Sequence, residues 1–216
     1  MDKDLEKILD GKRCFIFDLD GTLGNTEKTQ WEAHKKVCKD MFNIDLDDEH
    51  IYSYLGMADQ LVLESIEKDY NIDMGGEKGY EKYKKIRIKT AAKMVLKEPS
   101  FKYVTDILLK SFGIQFYLVT AQNAKLVEKM LRNWDLYRFF NVRNTFICDS
   151  RHNKMYYYDE IFRILKNAKP EDVVLFEDVN KYLQEGKKRG YVTVGIDNNF
   201  GKDPIVADYV IKTQEK

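Results

Sequence analysis

The chain has 216 residues, with 36 Lys and Arg against 36 Asp and Glu, so its formal net charge is zero. This length suits one domain, or one domain carrying a small insertion, and lets about 70% of the unfolded chain's surface be buried. The charge balance excludes a global attraction to nucleic acid or to an anionic membrane. The mix of 33% charged and 44% hydrophobic residues excludes a disordered chain.

Cys14, Cys38 and Cys148 form an odd, sparse set that does not describe a disulfide framework. Reduced thiols in a cytoplasmic protein are the simple expectation. Residues 1–12 mix acids and bases without an apolar stretch, so no signal peptide is read there. No apolar run approaches the ~18 residues that a membrane helix needs.

The first strand is read at residues 13–18 (RCFIFD). From residue 25 to about residue 93 the pattern turns charged, helical and nearly strand-free, with helix candidates at 28–42, 59–69 and 77–92. The acids at 45–49 read as a helix start, where they complement the dipole. The basic stretch 82–93 reads as a solvated helix face interrupted by Tyr83, Ile86 and Ala91. Short apolar runs then resume at 114–120 (IQFYLVT), 145–148 (TFIC), 172–177 (DVVLFE), 191–196 (YVTVGI) and 208–211 (DYVI). They are continuously apolar, as strands buried on both faces should be. Helical patterns at 101–112, 123–134, 155–167 and 181–189 alternate with them. One or two of Tyr156, Tyr157 and Tyr158 are expected to pack their helix onto the sheet. This alternation predicts an α/β fold, a parallel sheet with helices on both faces. The strand-free stretch, residues 28–93, is expected to form a separate helical lid on a core of 1–27 and 94–216.

Ligands of open α/β sheets sit beyond the carboxyl ends of the strands. The first strand delivers Asp18, Leu19, Asp20, Gly21 and Thr22 there, the second Thr120 and Ala121, and the fourth Glu177 and Asp178. Carboxylates gathered at one edge repel one another unless a cation neutralises them. Hard oxygen ligands favour Mg²⁺. A hairpin turn at Asp-Gly would not explain the acids at the later strand end, and Gly21 is misplaced for a calcium loop.

Residues 17–23 (FDLDGTL) resemble the first motif of the haloacid dehalogenase (HAD) superfamily. Leu118-Val119-Thr120 is similar to the second motif, Lys154 stands where the third-motif lysine is expected, and Leu175-Phe176-Glu177-Asp178 resembles the fourth, acidic motif. The resemblance covers essentially the whole chain. It implies a three-layer Rossmann-like parallel-sheet core with an inserted α-helical cap domain. It also implies Asp18 as the nucleophile that forms an aspartyl-phosphate, and Asp20 as acid and then base. Thr120 would donate to a phosphoryl oxygen, and Lys154 would offset the charge building there. Gly21, Thr22, Ala121 and Gln122 would line the substrate. Mg²⁺ would be held by Asp18, the Asp20 carbonyl and Asp178, with Glu177 either a further ligand or a partner that orients Lys154.

The chain departs from the family pattern in places. Lys154 is followed by Met155 and not by proline, and Lys169-Pro170 lies too close to the fourth-motif strand to replace it. Asn25-Thr26 stands where the β-phosphoglucomutase-like branch more often has Asp-Ser. Residues 54–59 resemble the cap loop that would bring Gly56 to the substrate, although a simple turn between helices reads equally well. Arg151 and His152 read either as pocket-lining or, more simply, as solvated loop residues.

Asp20 favours phosphoryl transfer from an oxygen ester over dehalogenation. The expected function is a Mg²⁺-dependent phosphatase acting on a small phosphorylated metabolite, with a monomer as the favoured state. A hexose phosphomutase is the nearest competitor, but such mutases carry a cap histidine where this chain has Gln30. His34, one turn on, reads as a surface helix residue. The third reading is a non-catalytic relative that binds a phosphorylated ligand or a protein.

Overall fold

The computed structural model describes residues 2–54, 59–200 and 203–213. Six strands form one sheet: β1 (Cys14–Phe17), β2 (Gln115–Thr120), β3 (Thr145–Ile147), β4 (Val173–Glu177), β5 (Val192–Asp197) and β6 (Tyr209–Lys212). Their order is β3-β2-β1-β4-β5-β6, and every neighbouring pair is parallel. The chain therefore winds outward from β1 in one direction, then returns to β4 and winds outward in the other. The switch point lies between β1 and β4, where an open parallel sheet leaves a crevice for a ligand.

The central strands are buried on both faces, which is why they read as unbroken apolar runs. Side chains alternate across the sheet. Cys14 and Ile16 pack with Tyr117, Val119, Leu175 and Tyr158 on one face. Phe15 and Phe17 face the other way, and Phe17 stacks on Phe176 with ring centroids 4.3 Å apart. Tyr158 is fully buried in the first cluster and Tyr157 packs against it, whereas Tyr156 is exposed.

The helices of this unit are α1 (Lys3–Leu9), followed after the inserted helices by α6 (Lys102–Lys110), α7 (Ala124–Asn133), α8 (Lys154–Ile164) and α9 (Asn180–Lys188). The helix α1 has no counterpart in the sequence reading. It buries only Leu5 and Leu9, and Asp2 caps its first turn.

The chain divides into two compact units, Met1–Asn25 with Pro99–Lys216, and Thr26–Glu98. Among its described residues the second holds four helices and no strand: α2 (Thr26–Phe42), α3 (Asp48–Tyr54), α4 (Asp59–Tyr70) and α5 (Gly76–Val95). Two expectations fail here. His34 is not on the surface but 6% exposed, with Nδ1 3.0 Å from the Tyr83 hydroxyl and its ring stacked on Trp31. The stretch 82–93 is not wholly solvated, because Arg87 turns inward with Tyr83 and Ala91 and donates to Gln30 Oε1 at 3.0 Å. The cause is the i, i+4 spacing of residues 83, 87 and 91, which puts the arginine on the face that packs against α2.

Candidate active site

The strand β1 runs directly into Asp18, whose backbone N–H donates to the Phe176 carbonyl at 3.0 Å. This ladder bond sets Asp18 level with Glu177, one residue past the paired Phe17 and Phe176. The chain then turns sharply. Leu23 N–H donates to the Leu19 carbonyl at 2.8 Å, and Gly21 N–H donates to the Gly24 carbonyl at 2.9 Å. Gly21 has φ +78, which a side chain would strain. A Cβ there would also lie 1.9 Å from Asp178 Oδ2 and 2.6 Å from Asn198 Nδ2. The glycine thus serves the turn and admits two neighbours at once.

The charged centre forms at the switch point. Lys154 is the first residue of α8, just after Asn153, whose side chain caps the helix by accepting from Tyr156 N–H. Its ammonium stands 2.7 Å from Asp18 Oδ1 and 2.7 Å from Glu177 Oε1, and it lies 4.3 Å from the centre of the Tyr182 ring. All three charged groups are buried. Burial alone would push the Lys154 ammonium down, but the carboxylates of Asp18 and Glu177 outweigh it and hold the group well above its ordinary value. Glu177 is pushed well above the usual carboxylate range by burial and then by the charge of Asp18, with Lys154 opposing.

Oxygens of Asp18, Glu177 and Asp178 lie within 4.8 Å of one another. Glu177 Oε2 is buried and has no hydrogen-bond partner among the described residues. This all-oxygen donor set holds more carboxylate than Lys154 balances, which fits a hard divalent cation such as Mg²⁺.

Thr120 ends β2, with its hydroxyl oxygen accepting from Gln122 N–H at 3.0 Å. Its own proton then remains to be donated to a ligand oxygen. Gln122 reaches back across the turn and donates from Nε2 to Asp20 Oδ2 at 3.1 Å. Thr22 is fully buried with Oγ1 3.5 Å from Asp178 Oδ1, at the limit of a hydrogen bond.

The profile of the haloacid dehalogenase-like hydrolases matches residues 15–196. The chain belongs to this family. Among curated relatives of this HAD-like hydrolase, the phosphorylated carbohydrates phosphatase of Thermotoga maritima is 23% identical over 181 residues, covering 81% of this chain and 80% of that protein. Among solved structures, the family IA variant 3 hydrolase of Entamoeba histolytica superposes with a TM-score of 0.75 at 17% identity, covering 93% of each chain. CbbY of Rhodobacter sphaeroides, solved in complex with phosphate, gives 0.73 at 18% identity, again covering 93% of each.

The fold of this hydrolase brings Asp18, Lys154, Glu177 and Asp178 into one cluster, with Gly21 and Thr22 against Asp178 and Thr120 joined to Asp20 through Gln122. Glu177 bonds Lys154 and also belongs to the acidic cluster, so the two roles read for it are compatible. Ala121 is exposed in the turn after β2. Gly56 lies outside the described residues. Arg151 and His152 donate their backbone N–H groups to Asp149 Oδ1, at 2.7 and 2.8 Å, in a loop closed on itself.

Three neighbours of the site were not read from the sequence: Tyr103, Tyr182 and Asn198. Tyr103 donates its hydroxyl to the Thr22 carbonyl. Burial, and then the charges of Asp178 and Asp18, hold that hydroxyl well above its ordinary range, so it stays a donor. Asn198 follows the end of β5, and the rule that ligands gather beyond strand ends points to it. Tyr103 and Tyr182 carry no such signal.

Proposed function

We propose that this hydrolase is a Mg²⁺-dependent phosphatase that cleaves a small phosphorylated metabolite through an aspartyl-phosphate on Asp18. The observation that carries the reading is the buried Asp18 carboxylate, paired with Lys154 and set beside two further acids at the switch point. Support also comes from the phosphatase activity in the name of the Thermotoga maritima relative and the phosphate bound to CbbY.

In the first half-reaction a carboxylate oxygen of Asp18 attacks phosphorus. The bond from phosphorus to the ester oxygen breaks, and Asp20 gives that oxygen its proton. In the second, water attacks phosphorus and yields a proton to Asp20, and the bond to Asp18 breaks to release phosphate. Thr120 donates its hydroxyl to a phosphoryl oxygen. Lys154 holds Asp18 in place and offsets charge on the transferred group. Asp18, Asp178 and the Asp20 carbonyl, with Glu177 close by, are the residues that would hold Mg²⁺. The ion would supply further positive charge against the phosphoryl oxygens.

We assign residues 28–93 the part of a cap that selects the leaving group, on a core formed by 1–27 and 94–216. The compact helical unit Thr26–Glu98 supports this. The favoured setting is a cytoplasmic monomer. Three free cysteines accord with a reducing compartment.

The test is phosphate release from p-nitrophenyl phosphate. Mg²⁺ should support it, and EDTA or Asp18→Asn should abolish it. Activity indifferent to both changes would overturn the mechanism, whereas metal-replete protein that turns over no member of a broad phosphate-ester panel would favour a non-catalytic binding role. The phosphomutase alternative is separated with β-glucose 1-phosphate, from which a mutase makes glucose 6-phosphate and little free phosphate. Gln30 tells against the mutase, since its carbonyl oxygen is committed to Arg87 and an amide cannot relay a proton as a histidine does.

A further inference from the structure

We propose that Asn198 is a positioning residue that fixes the Asp178 carboxylate against the turn at Gly21 and thereby sets the affinity of the acidic cluster for its cation. The inference rests on the Mg²⁺-dependent reading above and adds a residue to it.

Asn198 is 7% exposed and follows β5, the strand that pairs with β4. Its Nδ2 donates to Asp178 Oδ2 at 2.9 Å and to the Gly21 carbonyl at 3.1 Å, while its Oδ1 accepts from Phe200 N–H at 3.0 Å. These partners determine which way the amide points. A carboxylate and a carbonyl can only accept, and a backbone N–H can only donate, so the flipped amide would face like against like at all three contacts. One rigid side chain therefore ties three pieces together: the acid after β4, the turn after β1 and the loop after β5.

The missing side chain of Gly21 is part of the same arrangement. Asp178 Oδ2 and Asn198 Nδ2 occupy the space a Cβ would take. Asp178 is thus clamped on one oxygen by a neutral donor, which orients the carboxylate without cancelling its charge. Hydrogen-bonding partners of this kind are worth about 10–100-fold in metal affinity where they have been removed from metal sites.

The test is direct binding of Mn²⁺, a paramagnetic substitute for Mg²⁺, followed by the loss of the free-ion electron paramagnetic resonance signal. Asn198→Leu is close in shape and uncharged, and it should raise the dissociation constant by about 10–100-fold. Asn198→Ser keeps one O–H donor of shorter reach and should fall between that variant and the wild type. It also carries the test if the leucine variant fails to fold. Melting of the metal-free proteins gives the complementary readout, since a residue that only closes the loop after β5 would lower the melting temperature and leave Mn²⁺ affinity untouched. Wild-type affinity in both variants would overturn the proposal. Absence of Mn²⁺ binding by the wild type would instead overturn the phosphatase reading itself, so the two failures are distinct.

Discussion

The Lys154 ammonium stands 2.7 Å from Asp18 Oδ1, and both side chains are less than a tenth exposed. A buried pair of this kind is valuable mainly because of what its loss leaves behind. Lys154→Met would leave the buried Asp18 carboxylate without its counter-charge, which typically costs about 3–5 kcal/mol. Urea unfolding should show that loss, and phosphatase activity should fall by at least ~10²-fold because a preorganised charge is removed. Lys154→Arg keeps the charge but not the compact shape, so it should restore stability better than activity.

Gly21→Ala tests the crowding at the turn. The strained φ alone predicts a loss of about 1 kcal/mol. A Cβ 1.9 Å from Asp178 Oδ2 adds displacement of that carboxylate. The variant should therefore need more Mg²⁺ for half-maximal activity as well as unfold more easily. A stability loss with no change in Mg²⁺ requirement would mean that Asp178 moves freely.

Gln122, expected to line the substrate, donates its amide to Asp20. If its work is to hold the acid–base group, Gln122→Ala should lower kcat and leave KM nearly unchanged. The fall should stay below the ~10²-fold or more that acid–base catalysis as a whole supplies. A rise in KM at constant kcat would return Gln122 to substrate binding.

The helical unit carries a pH dependence of its own. Burial, and then the positive charge of Arg87, hold the His34 imidazole well below its ordinary value of 6.5. Below that pH the unfolded chain binds a proton that the folded chain refuses, so stability falls as pH drops. The cost approaches about 1.4 kcal/mol for each further pH unit. His34→Asn, which retains a polar atom towards Tyr83, should flatten the change in urea midpoint between about pH 7.5 and about pH 5. Parallel curves for variant and wild type would contradict the assignment.

What the sequence disclosed follows from where each residue's surroundings come from. Phe15 and Val174 sit on strands buried on both faces, so their elements appear as apolar runs. Asp18, Asp20 and Asp178 stand at the ends of such runs, where chain position alone marks them. His34 and Arg87 were misplaced because a polar residue on an amphipathic helix defaults to solvent until a second helix supplies its partner. Asn198 stands in an Asp-Asn-Asn run that carries no mark of its own. Its contact with Asp178 depends on β5 lying beside β4, an order that no local pattern encodes.

In the proposed reaction Asp18 itself accepts the phosphoryl group. The direct measurement is an acid quench during turnover of a ³²P-labelled phosphate ester with Mg²⁺, followed by peptide mapping of the labelled protein. One phosphoryl group is expected on the peptide that contains Asp18, formed at least as fast as turnover and absent in Asp18→Asn. Rapid turnover with no label on that peptide, or label on another residue, would contradict it.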